Sequence, residues 1–190
     1  MNLVVDRLVG YAEVNLKLSR YDSAKLRFMF ELIFMNAMEF VFIVAFFALI
    51  GRTTEFLVSA GVLISVRTFS GGFHFKKFRY CFMLTFAIFA VVILLLPDIS
   101  NTYPLMEVLL LVSVFLTAGL APVSKRNSAH PAKNNLALKI VSTTIVLAYS
   151  IWLLTARDNP FASVVTWIIF LQSVQLVVGK IILHKNATKQ

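Results

Sequence analysis

His74 and Cys81 lie seven residues apart in the stretch RTFSGGFHFKKFRYC, residues 67–81, and Cys81 is the only cysteine of the chain. A thiolate attacks carbonyl carbon, and an imidazole that titrates near neutral pH can take the thiol proton and later give it to a leaving amine. Together the two residue types could cleave a peptide bond through a thioester. Lys77 and Arg79 sit close enough in sequence to favour the thiolate, as does a helix N-terminus at Cys81. The bland alternative is a small buried hydrophobe beside an interfacial histidine.

Geometry sets a condition. On one continuous helix, residues seven apart share a face but stand about 10 Å apart along the axis. A base must come within about 3 Å of the sulfur it activates. Residues 71–78 therefore cannot simply extend the helix that carries Cys81; they must fold back, and Gly71-Gly72 offers a tight turn that other residues resist.

The elements that position this stretch are apolar. Of 190 residues, 59% are hydrophobic and 14% charged, and the mean hydropathy is +0.83. A soluble domain carries about 25% charged residues. Apolar runs long enough to cross a bilayer follow one another, which predicts an all-α polytopic membrane protein, because a spanning segment must satisfy its own backbone. Spans are expected near 27–50, 54–69, 79–96, 105–121, 136–155 and 161–183, punctuated by Gly51, Gly71-Gly72, Pro97, Pro104, Pro122, Pro131 and Pro160. Ahead of them, Val5, Leu8, Val9, Ala12 and Leu16 recur at helical spacing with Asp6, Arg7, Glu13 and Lys17 on other sides. Residues 1–22 thus read as an amphipathic helix lying in the interface rather than a cleavable signal. Tyr21-Asp22-Ser23 reads as the turn and cap that open the first span. No second domain, repeat or low-complexity tract is visible, so one membrane-embedded domain is expected over 1–190.

Lysine and arginine then orient the six spans. Sixteen of the 18 fall in alternate segments, on the side of both termini, and two on the other. Positive loops stay inside, so both termini and the 67–81 loop are expected at the cytoplasmic face of a cell membrane. The net charge of +9 needs no nucleic acid: the basic residues ring a surface of anionic lipid headgroups and could equally attract an acidic peptide. One cysteine excludes an internal disulfide, and His130 and His184 lack ligand-like spacing to His74, so neither a metal nor a cofactor is expected.

Arg67, Gly72, His74 and Cys81 form R-x-x-x-x-G-x-H with a cysteine seven residues after the histidine, and Ala121-Pro122-Val123 leads into a second basic, proline-containing loop. In these motifs, in span count and in length, the chain resembles the accessory gene regulator protein B (AgrB) family over essentially its whole extent. The segment from Pro122 to Pro131 looks longer than that family's loop, so no roles are carried over there. The resemblance implies a bacterial membrane cysteine endopeptidase with His74 and Cys81 as its catalytic pair. Its substrate would be an AgrD-like propeptide with an amphipathic N-terminus and an acidic C-terminal tail, cleaved and closed into a cyclic autoinducing peptide for quorum sensing. A homodimer is expected from the same resemblance and from the polar helix faces, and cross-linking in native membranes would detect it.

Other residues keep two readings each. Arg67 could stabilise an oxyanion, bind the substrate tail or snorkel to headgroups. Lys76, Lys77 and Arg79 could hold the acidic tail. Asn36 and Glu39, on one face of the first span, are intramembrane polar groups that either support the site or hydrogen-bond between helices. Gln172 and Gln175, at i and i+3, mark a face of the last span turned toward protein. The rival class is a small-peptide transporter without proteolytic activity. Intramembrane charges are few and broken midspans are lacking, both of which speak against it.

Overall fold

The computed structural model describes residues 6–7, 9–13, 19–72, 78–96, 98, 102–123, 132–156 and 158–187. Among them every regular element is helical: α1 (Arg20–Leu49), α2 (Thr53–Ser70), α3 (Phe78–Ala90) ending in a π-helical turn (Val91–Leu95), α4 (Tyr103–Leu120), α5 (Ala132–Thr155) and α6 (Ala162–Ala187). The six segments expected from the sequence overlap these six helices, and the chain is an all-α membrane protein. Tyr21–Leu49, Asn135–Thr155 and Ala162–Lys185 are each long and apolar enough to cross a bilayer, while Arg79–Leu95 and Pro104–Leu120 are shorter apolar helices. α2 is mixed in character: its 18 residues include Glu55, Arg67 and six hydroxyl side chains.

The chain divides into two compact units, residues 1–50 and 51–190. In the first, residues 9–13 are helical, with Val9 buried and Tyr11 and Glu13 exposed, the two-sided character expected of an interfacial helix. An ion pair at 2.8 Å links Asp6 to Arg27 of α1, which also faces Glu31 at 3.4 Å. Exposed pairs of this kind add little stability. The opening of α1 lies one turn earlier than Tyr21-Ser23. Ser19 is the N-cap: its Oγ accepts the Asp22 N–H at 3.2 Å and donates to the Asp22 carboxylate at 2.7 Å. The anionic Asp22 also suits the positive end of the helix, so the cap and the first-turn acid agree on this start. At 30 residues and 1.5 Å per residue, α1 is about 45 Å long, more than the hydrocarbon core alone requires.

In the second unit α6 packs on α2 and α4, and α5 packs on the same two helices. α6 buries Ala162, Val165, Thr166, Ile168, Ile169, Gln172, Ser173 and Leu176. Their spacing of three and four gives one broad inward stripe. Small residues let the helices approach: Ser173 Oγ lies 3.4 Å from both the Ser113 carbonyl and Thr117 Oγ of α4. Such contacts take the place of the hydrophobic driving force that lipid removes. α3 is keyed to α2 by an edge-on ring contact, Phe56 against Phe89 at 4.9 Å. Leu111 and Phe115 of α4 and Ile140 and Ile151 of α5 point outward, as suits a surface solvated by acyl chains.

Candidate functional site

α2 ends where the Arg67 motif begins. Arg67 lies in its last turn, at the negative end of the helix, where a cation is stabilised. The helix stops because Gly71 takes φ 73° and ψ −157°, a region in effect reserved for glycine. The Gly71 N–H still closes on the Arg67 carbonyl at 2.9 Å, and Gly72 then leaves in a non-helical direction. The chain therefore departs from helical geometry at residues 71–72 and is helical at Phe78; the expected fold-back between them lies outside the described residues. His74, Lys76 and Lys77 fall outside the described residues.

A second loop locks this turn. Past the end of α4, the Ala121–Pro122 peptide is cis, and Val123 pairs with Gly71 as a short parallel bridge. The Val123 N–H donates to the Ser70 carbonyl at 2.9 Å, and the Gly72 N–H donates to the Val123 carbonyl at 3.3 Å. Ala121 and Val123 are buried in one cluster with Leu176 of α6, flanked by Leu120 and Leu183. The two motifs read separately in the sequence, Arg67 to His74 and Ala121-Pro122-Val123, are thus hydrogen-bonded to each other.

The steric need for glycine falls on Gly71. A Cβ there would collide with the Val123 carbonyl. At Gly72 a Cβ would stand 3.5 Å from Arg67 Nε, an ordinary contact, and no positive φ is required. Gly72 therefore faces the guanidinium, while Gly71 makes the turn.

α6 supplies the third side. Gln172 Nε2 donates to the Gly71 carbonyl at 3.1 Å and to Ser70 Oγ at 3.3 Å. Arg67 Nη1 donates to Gln175 Oε1 at 3.5 Å. Both glutamines and Ser70 are buried, and Arg67 is half-buried. The glutamine face recognised at i and i+3 therefore meets the motif itself. Ser70, too generic to single out by sequence, is a partner in the same network.

Cys81 occupies the first turn of α3 and is half-buried, with Arg79 exposed beside it. Leu84 and Ile88, three and seven residues on, continue its face of α3. They form one wall of an apolar groove of about 370 Å³, whose other wall is Leu171, Val174, Gln175, Val178 and Ile182 of α6. Gln175 thus borders the groove beside α3 and holds Arg67 as well. Asn36 and Glu39 lie on α1 in the other unit, Asn36 exposed and Glu39 half-buried.

The arrangement provides a thiol near the start of α3, a guanidinium held at the end of α2 and an apolar groove lined by α3 residues three and seven positions beyond the thiol. Residues 5–176 match the family model for accessory gene regulator B. A relative from Clostridium beijerinckii, named as an AgrB-like protein, is 27% identical over 173 residues, covering 88% of this chain and 83% of its own. No solved structure matches.

Proposed function

The chain belongs to the accessory gene regulator B family, and from that premise we propose that it is the membrane cysteine endopeptidase that processes the signal propeptide of an accessory gene regulator system. Family membership puts it in that system; the peptidase chemistry is our reading of the site. The observation that carries it is the placement of Cys81, half-buried near the start of α3, on a helix whose Leu84 and Ile88, three and seven residues further on, line an apolar groove.

In the first step Cys81 Sγ, its proton taken by His74, attacks the scissile carbonyl. The Sγ–C bond forms, the C–N bond breaks, and the proton held on His74 passes to the leaving amine of the acidic tail. The N-terminal part of the substrate stays on Cys81 as a thioester. In the second step a thiol or hydroxyl within that peptide attacks the thioester carbonyl. The ring closes, and the nucleophile's proton restores the Cys81 thiol. A groove lined almost wholly by aliphatic side chains keeps water from competing. A thioester is less stable than the amide it replaces, so turnover depends on removal of the products. The basic loops, with Arg79 near the start of α3, attract the acidic tail, and the amphipathic part of the propeptide shares the interface with the N-terminal helix of this chain.

Co-expression with the propeptide encoded beside this gene, followed by mass spectrometry, is expected to yield a released tail and a cyclic peptide one water lighter than the linear acid. Intact propeptide exported without cleavage would establish the transporter instead.

The chemistry needs the 67–81 loop to meet a cytoplasmic substrate, and sixteen of 18 basic residues argue for that side. Single cysteines placed near Asp98 and near Asn127, in a Cys81→Ala background, are expected to label from opposite sides of the membrane. Labelling from one side removes the six-span topology.

A further inference from the structure

The two buried glutamines of α6 meet the motif with opposite ends of their amides. Gln172, 1% exposed, turns Nε2 to the Gly71 carbonyl and Ser70 Oγ. A carbonyl only accepts, so this orientation is chemically fixed. Gln175, 9% exposed, turns Oε1 to Arg67 Nη1. A guanidinium only donates, so this orientation is fixed too. What remains of each amide, Gln172 Oε1 and Gln175 Nε2, is buried without a partner.

A buried polar atom left unpaired destabilises the fold. Methionine or leucine would fill the same volume without that penalty; the amides also join α6 to α2, but a bond that served association alone would not have to fall on this motif. Among the described residues, the hydrogen bonds of both amides go to the Arg67 motif, in α2 and its C-terminal turn. Gln172 fixes the Gly71 carbonyl, and with it the direction in which the chain leaves α2 toward His74. Gln175 fixes the guanidinium of Arg67.

We propose that Gln172 and Gln175 are positioning residues of the site, Gln172 acting as a hydrogen-bond donor and Gln175 as an acceptor. The proposal rests on the reading that the stretch from Arg67 to Cys81 is the catalytic centre.

The contrast in roles makes the test. Membranes carrying Gln172→Glu, Gln172→Met, Gln175→Glu or Gln175→Met are assayed for propeptide cleavage, alongside wild type and Cys81→Ala, with each rate divided by the amount of inserted protein. Glutamate nearly matches glutamine in volume but offers acceptors only. At 175 it keeps the contact to Arg67 and strengthens it by charge, so cleavage is expected within about threefold of wild type, while methionine lowers it about tenfold. At 172 glutamate loses the donor and faces the Gly71 carbonyl with an acceptor, so both substitutions are expected to lower cleavage about tenfold or more. If the glutamines serve only packing, methionine is tolerated at both positions and glutamate harms both alike; either result overturns the proposal. Should Gln172→Glu fail to insert, the pair at 175 decides alone: rescue by glutamate over methionine supports the proposal, and equal rates overturn it. Cleavage surviving in Cys81→Ala instead removes the peptidase reading, an outcome distinct from failure at 172 and 175.

Discussion

Replacement of Cys81 by alanine is expected to take propeptide cleavage below detection, a fall of more than about 10³-fold, with the protein still inserted. The thiol is small and half-buried in the first turn of α3, so its loss removes one polarizable atom from the packing and costs about 1 kcal/mol or less. Its chemistry has no substitute. Serine at 81 keeps the shape, but its hydroxyl is far less acidic than a thiol, and a helix N-terminus cannot close that gap. Replacing His74 is expected to stop cleavage by another route, since the thiol loses its proton acceptor and the leaving amine its donor. The double variant should be no worse than either single one, because the pair acts as a unit. Gel analysis of an epitope-tagged propeptide reads all three. Normal processing by the Cys81→Ala protein would refute the peptidase assignment. Additive losses would separate the two residues into different roles.

What the sequence made legible follows from the physics of apolar segments. A helix in lipid must be long and largely apolar, so run length and Pro/Gly punctuation marked segments that overlap the six helices, and the ends of α2 and α4 fell within two residues of expectation. The start of α1 did not. Arg20 to Phe28 mixes charged and apolar residues, and an interfacial turn of that kind has no run length to read; the Ser19-x-x-Asp22 cap was the usable signal. The pair of amides on α6 was also legible as a face, because i and i+3 coincide on a helix, but its partner was not. The bridge from Gly71 to Val123 was invisible for a deeper reason. It is made of backbone groups some fifty residues apart, Val123 N–H to Ser70 carbonyl and Gly72 N–H to Val123 carbonyl. Backbone groups are the same in every residue, so no side-chain pattern announces such a pairing. The same blindness blurred the two glycines, which look alike in the sequence and differ in what stands against them.

That difference gives the second large expected effect: Gly71→Ala should cripple the protein through its fold, and Gly72→Ala should not. At Gly71 the backbone sits at φ 73° and ψ −157°, where an L-residue costs about 1–3 kcal/mol. The added methyl would also run into the Val123 carbonyl. Backbone, unlike a side-chain tip, cannot swing aside. The loop must then part from the turn, releasing both bonds of the bridge and shifting the carbonyl that Gln172 holds. Loss of these on top of the strain puts the total near 3–5 kcal/mol, a large share of the stability of an ordinary domain. The expected readings are a lower thermal midpoint in detergent, less inserted protein and a fall in cleavage of more than about tenfold. At Gly72 the methyl meets only Arg67 Nε at 3.5 Å, so the thermal midpoint should stay near wild type. Any loss of cleavage there must come from crowding the guanidinium rather than from unfolding. Thermal melts of the two purified variants side by side separate these cases. Equal midpoints, or a lower one for Gly72→Ala, would mean that the turn is not held by the contact between Gly71 and Val123.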